Sequence, residues 1–230
     1  MQTTMIALLI IGATIIIYFF MNVLYFNYRK TYLLPLLTAS VAIILLLLIF
    51  NIPYDTYLIG GEWINLFLGP AVVSLAIPLY KQRELLMKSL WPIIAGVLTG
   101  VFIGMVSGML FAKMFGFSQE IVLTLLPKSI TTPVAIQIAT GLGGISSLAP
   151  VFVMIAGFTG AIFGPNFYKW IKIDTAIGRG IGFGAAAHAI GTSKAMEYGE
   201  QEISMSSVAM TLCAIIGSLI GPIIAWIFYM

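Results

Sequence analysis

Residues 127–133 form a short polar segment, Pro-Lys-Ser-Ile-Thr-Thr-Pro, within an otherwise apolar stretch of the chain. A lysine ammonium and neighbouring hydroxyl groups are the kinds of donor that hold a carboxylate. The alternative is that Lys128 extends to the aqueous surface and the segment is an interfacial loop. The candidate substrate-binding residues of this segment are Lys128, Ser129, Thr131 and Thr132.

Two prolines bracket this segment and predict an interrupted helix, because proline lacks a backbone donor and disfavours helix in the residue before it. Pro133 suits the first turn of a second half-helix, with Thr131 or Thr132 near its N-cap. The start of such a half-helix offers free N–H groups and the positive end of a dipole. Pro127 and Pro133 are therefore the predicted helix-break residues of a site for a carboxylate.

A second candidate site contains His188, the single histidine of the chain, in a glycine-rich stretch. Histidine can donate to an anion and can change its protonation near neutral pH, which favours ligand contact or gating. The alternative is a neutral histidine that bridges two helices by hydrogen bonds. Gly191 and Thr192 are further candidates for substrate binding, and Gly143, Gly144 and Gly184 are predicted hinges.

The composition requires that a membrane surrounds these sites. Hydrophobic residues make up 60% of the 230 residues and charged residues 8%, whereas a soluble domain has roughly 45–50% and about 25%. The net charge of +3 comes from Lys and Arg residues scattered in short loops, so nucleic acid is not predicted as a partner. We expect one membrane domain over residues 1–230, with four helices in 1–115 and the candidate sites in 116–230.

The apolar runs predict an all-α polytopic membrane protein with six spanning helices and two broken segments. The broken segments, 120–142 and 176–198, have the length of a span but contain charges together with prolines or glycines. The predicted spans are Met5–Phe26, Leu33–Phe50, Trp63–Tyr80, Leu90–Ala112, Leu148–Tyr168 and Met205–Tyr229.

The distribution of Lys and Arg predicts that both broken segments are re-entrant hairpins, since these residues accumulate in cytoplasmic loops. Arg29 and Lys30 place the first loop inside, and four crossings follow without conflict. A full crossing by 120–142 would then leave Lys169 and Lys172 outside. Two hairpins, the first entering from outside and the second from the cytoplasm, remove the conflict and place both termini outside. Because irregular backbone at membrane depth must be packed in protein or line a watery cavity, the hairpins should meet at a site.

A weak internal repeat of glycines supports this arrangement, since interrupted segments in corresponding positions point to a transporter's binding site. The same glycines lie at helical spacing and predict close helix packing. The repeat relates Gly96, Gly100 and Gly104 to Gly157, Gly160 and Gly164, and Gly217 and Gly221 again to Gly160 and Gly164.

Enzyme signatures are absent from the sequence. It has one histidine, one cysteine, no HExxH, no P-loop and no carboxylate well inside a predicted span. We therefore predict no catalytic residues, no metal site and no cofactor.

At these motifs the sequence resembles the LrgB/CidB family of bacterial membrane proteins, whose members include the C-terminal half of the plastidial glycolate/glycerate translocator. The resemblance spans nearly the whole chain, and the CidB-like branch is the most similar. Pro133 stands where some relatives carry a small residue. The matching stretches are Tyr54-Asp55-Thr56-Tyr57 with Gly60-Gly61, residues 70–81, residues 125–131, Gly143-Gly144, and residues 179–195.

The resemblance implies two alternative functions in a bacterial cytoplasmic membrane. Some members are described as holin-like or antiholin-like regulators of murein hydrolase activity and lysis, and others resemble carriers of pyruvate, glycolate or glycerate. It also implies a small partner of the LrgA/CidA type and a homo- or hetero-oligomer. Our first hypothesis is a monocarboxylate carrier, and our second is a holin-like pore or lysis regulator. A third hypothesis, that the chain is the inert half of a two-chain complex, is compatible with either.

Overall fold

The computed structural model describes residues 2–28, 30 and 33–229, and its regular secondary structure there is helical, without strands. The predicted all-α class is confirmed. Arg29, used above for the first loop, lies outside the described residues. The helices are α1 (Gln2–Tyr28), α2 (Pro35–Ile49), α3 (Tyr54–Asn65), α4 (Leu68–Ser74), α5 (Ala76–Lys81), α6 (Arg83–Lys88), α7 (Leu90–Met114), α8 (Gln119–Leu125), α9 (Thr132–Gly141), α10 (Ala149–Trp170), α11 (Ala176–Ala195) and α12 (Glu200–Tyr229).

Five helical stretches of the described chain are long and apolar enough to cross a membrane. The predicted second span corresponds to α2, which is shorter, with 15 residues. The spans are Thr3–Tyr28, Tyr54–Lys81, Leu90–Met114, Ala149–Trp170 and Glu200–Tyr229.

The predicted span Trp63–Tyr80 is interrupted in the structure, where α3, α4 and α5 replace one continuous helix. Prolines at 70 and 78 explain the interruptions, because neither can donate to the carbonyl four residues earlier. Those carbonyls belong to Leu66, the C-cap of α3, and to Ser74, the last residue of α4.

The chain divides into two compact units, Met1–Ala71 and Val72–Met230. In the N-terminal unit, α1 packs against α2 and α3. Gly60 of α3 permits this approach, since a Cβ there would lie 3.0 Å from the Ala7 carbonyl oxygen and 2.6 Å from the Ile10 side chain. The single-domain description, with a division near residue 115, stays a prediction.

Hairpin 1, residues 119–141, lies in the C-terminal unit and consists of α8, a turn and α9. The Ile145 amide donates to Thr124 Oγ1 at 2.7 Å, although 21 residues of continuous helix would span about 31 Å. The chain therefore reverses direction between these two residues. The first predicted re-entrant segment folds as a hairpin.

Hairpin 2 is formed by α11, whose His188 has a non-helical backbone with φ 41° and ψ −131°. Residues 176–187 make its first arm and residues 189–195 its second arm. The ring centroids of Phe183 and Tyr198 lie 5.6 Å apart, whereas 15 residues of continuous helix would separate them by about 22 Å. The second predicted segment is thus also a hairpin, bent at His188.

The two hairpins approach the middle of α7 from its opposite ends. Added Cβ atoms at Gly96 and Gly100 would lie 2.7 Å from Ile181 Cγ2 and 2.9 Å from Ala185 Cβ, so the first arm of hairpin 2 runs parallel to α7. Its bend lies just beyond the level of Gly100.

Hairpin 1 contacts the other half of α7. A Cβ at Gly108 would lie 3.0 Å from Leu125 Cδ2, and a Cβ at Gly104 would lie 2.9 Å from Ser129 Oγ. From Leu125 to Ser129, hairpin 1 therefore runs antiparallel to α7, towards its centre. Gly100 and Gly104 are one helical turn apart, about 6 Å along the axis, so the two bends come close at mid-helix.

The other glycines of the repeat pack against the same hairpins. Added Cβ atoms at Gly157 and Gly160 of α10 would lie 2.7 Å from His188 Cε1 and 2.6 Å from Ala187 Cβ. On α12, Gly217 lies against Ile130 of hairpin 1. The predicted packing role of these glycines is confirmed, and the surfaces that they contact belong to the arms and bends of the two hairpins.

This arrangement predicts that the bases of the two hairpins face opposite sides of the membrane. Ser118 and Ser146 flank hairpin 1 and Asp174 precedes hairpin 2, and all three are exposed. In a Cys213→Ala background, a membrane-impermeant maleimide added to intact cells should label Ser118→Cys and Ser146→Cys. It should label Asp174→Cys only after permeabilisation. Labelling of all three from outside would contradict the opposed hairpins.

Candidate functional site

The bend of hairpin 1 lies where the two prolines predict it. Helix α8 ends at Leu125, and the turn is held by hydrogen bonds from the Lys128 amide to the Leu125 carbonyl (3.2 Å) and from the Ile130 amide to the Pro127 carbonyl (2.9 Å). Helix α9 begins at Thr132, with proline in its first turn. The interruption between Pro127 and Pro133 is therefore confirmed.

Thr131 is the N-cap of α9, as the sequence indicates, but its hydroxyl makes no capping hydrogen bond. Its carbonyl oxygen accepts from the amides of Val134 (3.1 Å) and Ala135 (3.0 Å), which leaves fewer free amides at this helix end than expected. The side chain is buried at 8% exposure. At the start of α9 the group without a capping hydrogen bond is therefore the Thr131 hydroxyl, whereas the Val134 amide is already bonded.

The Lys128 ammonium donates to the backbone carbonyl of Gly104 at the centre of α7. It also lies against Gly108, where an added Cβ would approach Nζ to 2.8 Å. The ion pairs of the described residues are Arg179–Glu202 and Lys194–Glu197. Within the described chain, no carboxylate therefore lies within 4.0 Å of this ammonium. Among the described residues, the partner of this half-buried cation at mid-helix is a neutral oxygen.

Ser129 and Thr132 are two more candidate residues of this bend. Ser129 is 9% exposed, and its hydroxyl fills the space over Gly104. Thr132, the first residue of α9, is half-buried. Hairpin 1 thus brings together the four residues predicted from the polar segment.

At the exit of hairpin 1, the predicted hinge glycines have different roles. Gly143 has a left-handed backbone with φ 83°, so a glycine is favoured there. Gly144 is packed closely, because a Cβ there would lie 3.0 Å from the Thr124 amide nitrogen.

His188 provides the bend of hairpin 2, and its ring is committed to α10. Its Nε2 lies 2.9 Å from the carbonyl oxygen of Val153, and the residue is 2% exposed. This geometry is the interhelical bridge given above as the alternative. Ligand contact by His188 stays a prediction, and none of the described hydrogen bonds joins it to Lys128 or Ser129.

The other predicted residues of hairpin 2 hold its arms together. Gly191 lies directly against the Phe183 carbonyl oxygen of the first arm. Thr192 Oγ1 donates to the His188 carbonyl at 2.9 Å. Gly184, a predicted hinge, lies within the first arm against the Ser206 carbonyl of α12. Glycine is required at 184 by this close backbone contact and not by flexibility. The bend itself lies four residues further on, at His188.

A charged cluster at the base of hairpin 2 was not predicted. Arg179 of the first arm pairs with Glu202 of α12 at 2.7 Å, and its guanidinium lies 5.4 Å from the Tyr198 ring centroid. Glu202 is 5% exposed. The predicted span Met205–Tyr229 does not contain this carboxylate, whereas α12 begins at Glu200 and includes it.

The N-terminal unit contains an apolar cleft of about 300 Å³ between α1 and α3. Its lining consists of Ala7, Ile11, Ile59 and Trp63 together with Leu8 and the threonines at 3 and 4, and none of these described residues is charged. This cleft offers no partner for a charged substrate.

Comparison with known proteins places the whole chain in a family of membrane proteins. The model of the LrgB-like family matches residues 14–227. The chain is similar to the uncharacterized protein YxaC of Bacillus subtilis, with 53% identity over all of both chains. It is also similar to the holin-like protein CidB of Staphylococcus aureus (40% identity) and of Staphylococcus epidermidis (37%), with 97% of each chain covered. No solved structure matches.

The contact between the arms of hairpin 2 leaves no room for a side chain at Gly191. Gly191→Ala should cost about 1–3 kcal/mol, or several degrees in Tm, because its methyl group would overlap the Phe183 carbonyl. Gly141→Ala is the matched control, since a Cβ at Gly141 has open space around it. Thermal unfolding of both variants in detergent measures the difference, and equal Tm values would contradict the described contact.

The Arg179–Glu202 pair should contribute to stability because Glu202 is buried. Glu202→Gln leaves Arg179 without its charged partner, and we expect a loss of about 3 kcal/mol. Glu200→Gln, at an exposed position of the same turn, should have little effect. Thermal unfolding in detergent compares the two variants. A Glu202→Gln protein as stable as the control would show that the pair is dispensable.

Proposed function

Since the chain belongs to the LrgB-like family, a family of multi-pass membrane proteins, we propose that it carries small monocarboxylates across the membrane. The substrates are two- or three-carbon acids of the pyruvate, glycolate and glycerate class. The binding site is the bend of hairpin 1, residues 127–133.

The observation that carries this proposal is the ammonium of Lys128. A charged group away from water is costly unless it is paired, and intramembrane ionisable residues mark substrate pathways. Within the described chain this ammonium has the Gly104 carbonyl as its partner and no carboxylate. A substrate carboxylate would supply the missing negative charge.

The surroundings of Lys128 favour a small hydroxy- or keto-acid. Ser129, Thr131 and Thr132 follow Lys128 within the same bend, and their hydroxyls are of the type that donates to a carboxylate or to the adjacent oxygen of such an acid. Close contacts with Gly104 and Gly108 limit the space around the ammonium. A compact substrate fits this limit better than a long-chain acid.

Alternating access is supported by the opposed hairpins. Each bend lies near the centre of α7, and the bases lie towards its opposite ends. Movement of one hairpin at a time would expose the same central site first to one side and then to the other. This resembles the general arrangement of carriers with paired, broken segments around a midplane site.

A holin-like function is the second candidate, and the names of the CidB relatives support it better than they support transport. In that function the chain would oligomerise and regulate murein hydrolase activity and lysis, with the polar bends as structural elements. A small partner of the LrgA/CidA type is part of either proposal, and so is assembly into a homo- or hetero-oligomer.

Removing the charge of Lys128 should abolish transport while the fold remains. In proteoliposomes, Lys128→Met should reduce uptake of labelled pyruvate or glycolate at least about tenfold, because a hydrogen bond between charged groups is lost. Lys172→Met, at an exposed position, is the control. Wild-type uptake by Lys128→Met would rule out this site.

The same liposomes separate the two candidate functions. A carrier gives saturable, stereoselective uptake of a carboxylate, whereas a holin-like pore gives leakage of unrelated solutes without saturation. Each measurement is made with and without a co-purified small partner.

A further inference from the structure

Ser206 of α12 is a fully buried residue that contacts both arms of hairpin 2. Its hydroxyl lies 2.8 Å from Thr192 Oγ1 on the second arm. Its backbone carbonyl lies against Gly184 on the first arm. One residue of a spanning helix therefore touches the hairpin on both sides of its bend.

The donor and the acceptor of each hydrogen bond at the Thr192 hydroxyl can be assigned in one way. Thr192 has one hydroxyl proton, and it is donated to the carbonyl of His188 at 2.9 Å. Ser206 must then donate its own proton to Thr192 Oγ1. The resulting chain runs from α12 to the carbonyl of His188, the residue whose positive φ makes the bend.

A second contact lies one helical turn earlier on the same helix. Glu202 pairs with Arg179 at the base of the first arm. Residues four apart on a helix share a face, so Glu202 and Ser206 present one polar edge of α12 to hairpin 2. The ion pair holds the first arm to α12, whereas the Ser206 hydroxyl makes a polar contact between α12 and the second arm.

We propose that Ser206 is a positioning residue of hairpin 2, whose hydroxyl fixes the second arm and the bend at His188. This inference rests on the proposed function, in which the position of each hairpin decides whether the central carboxylate site is closed towards one side of the membrane. Ser206 does not contact the substrate. Loss of the Ser206 hydroxyl lowers the fraction of molecules in which the bend of hairpin 2 is closed. The apparent affinity for the substrate falls in proportion to that fraction.

Kinetics of the purified protein in liposomes test the transport consequence. Ser206→Ala should raise KM for pyruvate or glycolate about three- to tenfold, the equivalent of one buried hydrogen bond, with little change in the maximal rate. Thr192→Val, which keeps the volume and removes the hydroxyl, should do the same, and Thr192→Ser should restore wild-type KM. Ser207→Ala is the control, at the next and only half-buried position.

Hydrogen exchange measured by mass spectrometry tests the positioning role without any transport assay. Ser206→Ala should accelerate exchange in residues 189–195 and leave residues 119–141 unchanged. If the wild-type protein takes up no carboxylate but this exchange pattern occurs, the proposed function fails and the positioning role stands. Wild-type exchange in residues 189–195 overturns the inference, and so does an equal acceleration throughout the protein.

Discussion

Backbone N–H and C=O groups inside a bilayer must find partners within the protein, and this constraint governs the C-terminal unit. Two bends place irregular backbone at the level of the middle of α7, so spanning helices must cover them closely. Glycines on α7, α10 and α12 make this possible, because each contact with a hairpin is too short for a side chain. The pairs of Gly104 with Ser129, Gly157 with His188, and Gly217 with Ile130 are examples. These glycines thus allow the spanning helices to pack closely enough to cover the two bends.

The same packing gives the two bends unequal chemistry. At hairpin 2 the polar groups are used internally, since the His188 ring contacts the Val153 carbonyl and Thr192 links to Ser206. At hairpin 1 the ammonium of Lys128 has a neutral carbonyl as its partner within the described chain. The bend of hairpin 2 is therefore held by hydrogen bonds to neighbouring helices, whereas the bend of hairpin 1 carries a charge with no counter-charge among the described residues. This difference supports a role for hairpin 1 in binding an anion and for hairpin 2 in shaping the space around it.

Much of this architecture could be predicted because its causes are local. The prolines at 127 and 133 mark the first bend, and the conflict over Lys169 and Lys172 indicates the hairpins. Contacts between residues that are distant in the chain could not be predicted from local sequence patterns. The bend at His188 arises where tertiary packing imposes an unusual φ, and no proline marks it. Glu202 and Ser206 look like ordinary residues near a helix start, and their partners lie 23 and 14 residues away in the chain.

The central claim is that the Lys128 ammonium is the counter-charge for a bound carboxylate. Cryo-electron microscopy of the purified protein, enlarged with a bound antibody fragment and saturated with pyruvate or glycolate, tests it most directly. We expect carboxylate density within about 3 Å of Lys128 Nζ, with contacts to the hydroxyls of hairpin 1. Substrate density elsewhere, with Lys128 still bound to the Gly104 carbonyl, would contradict it.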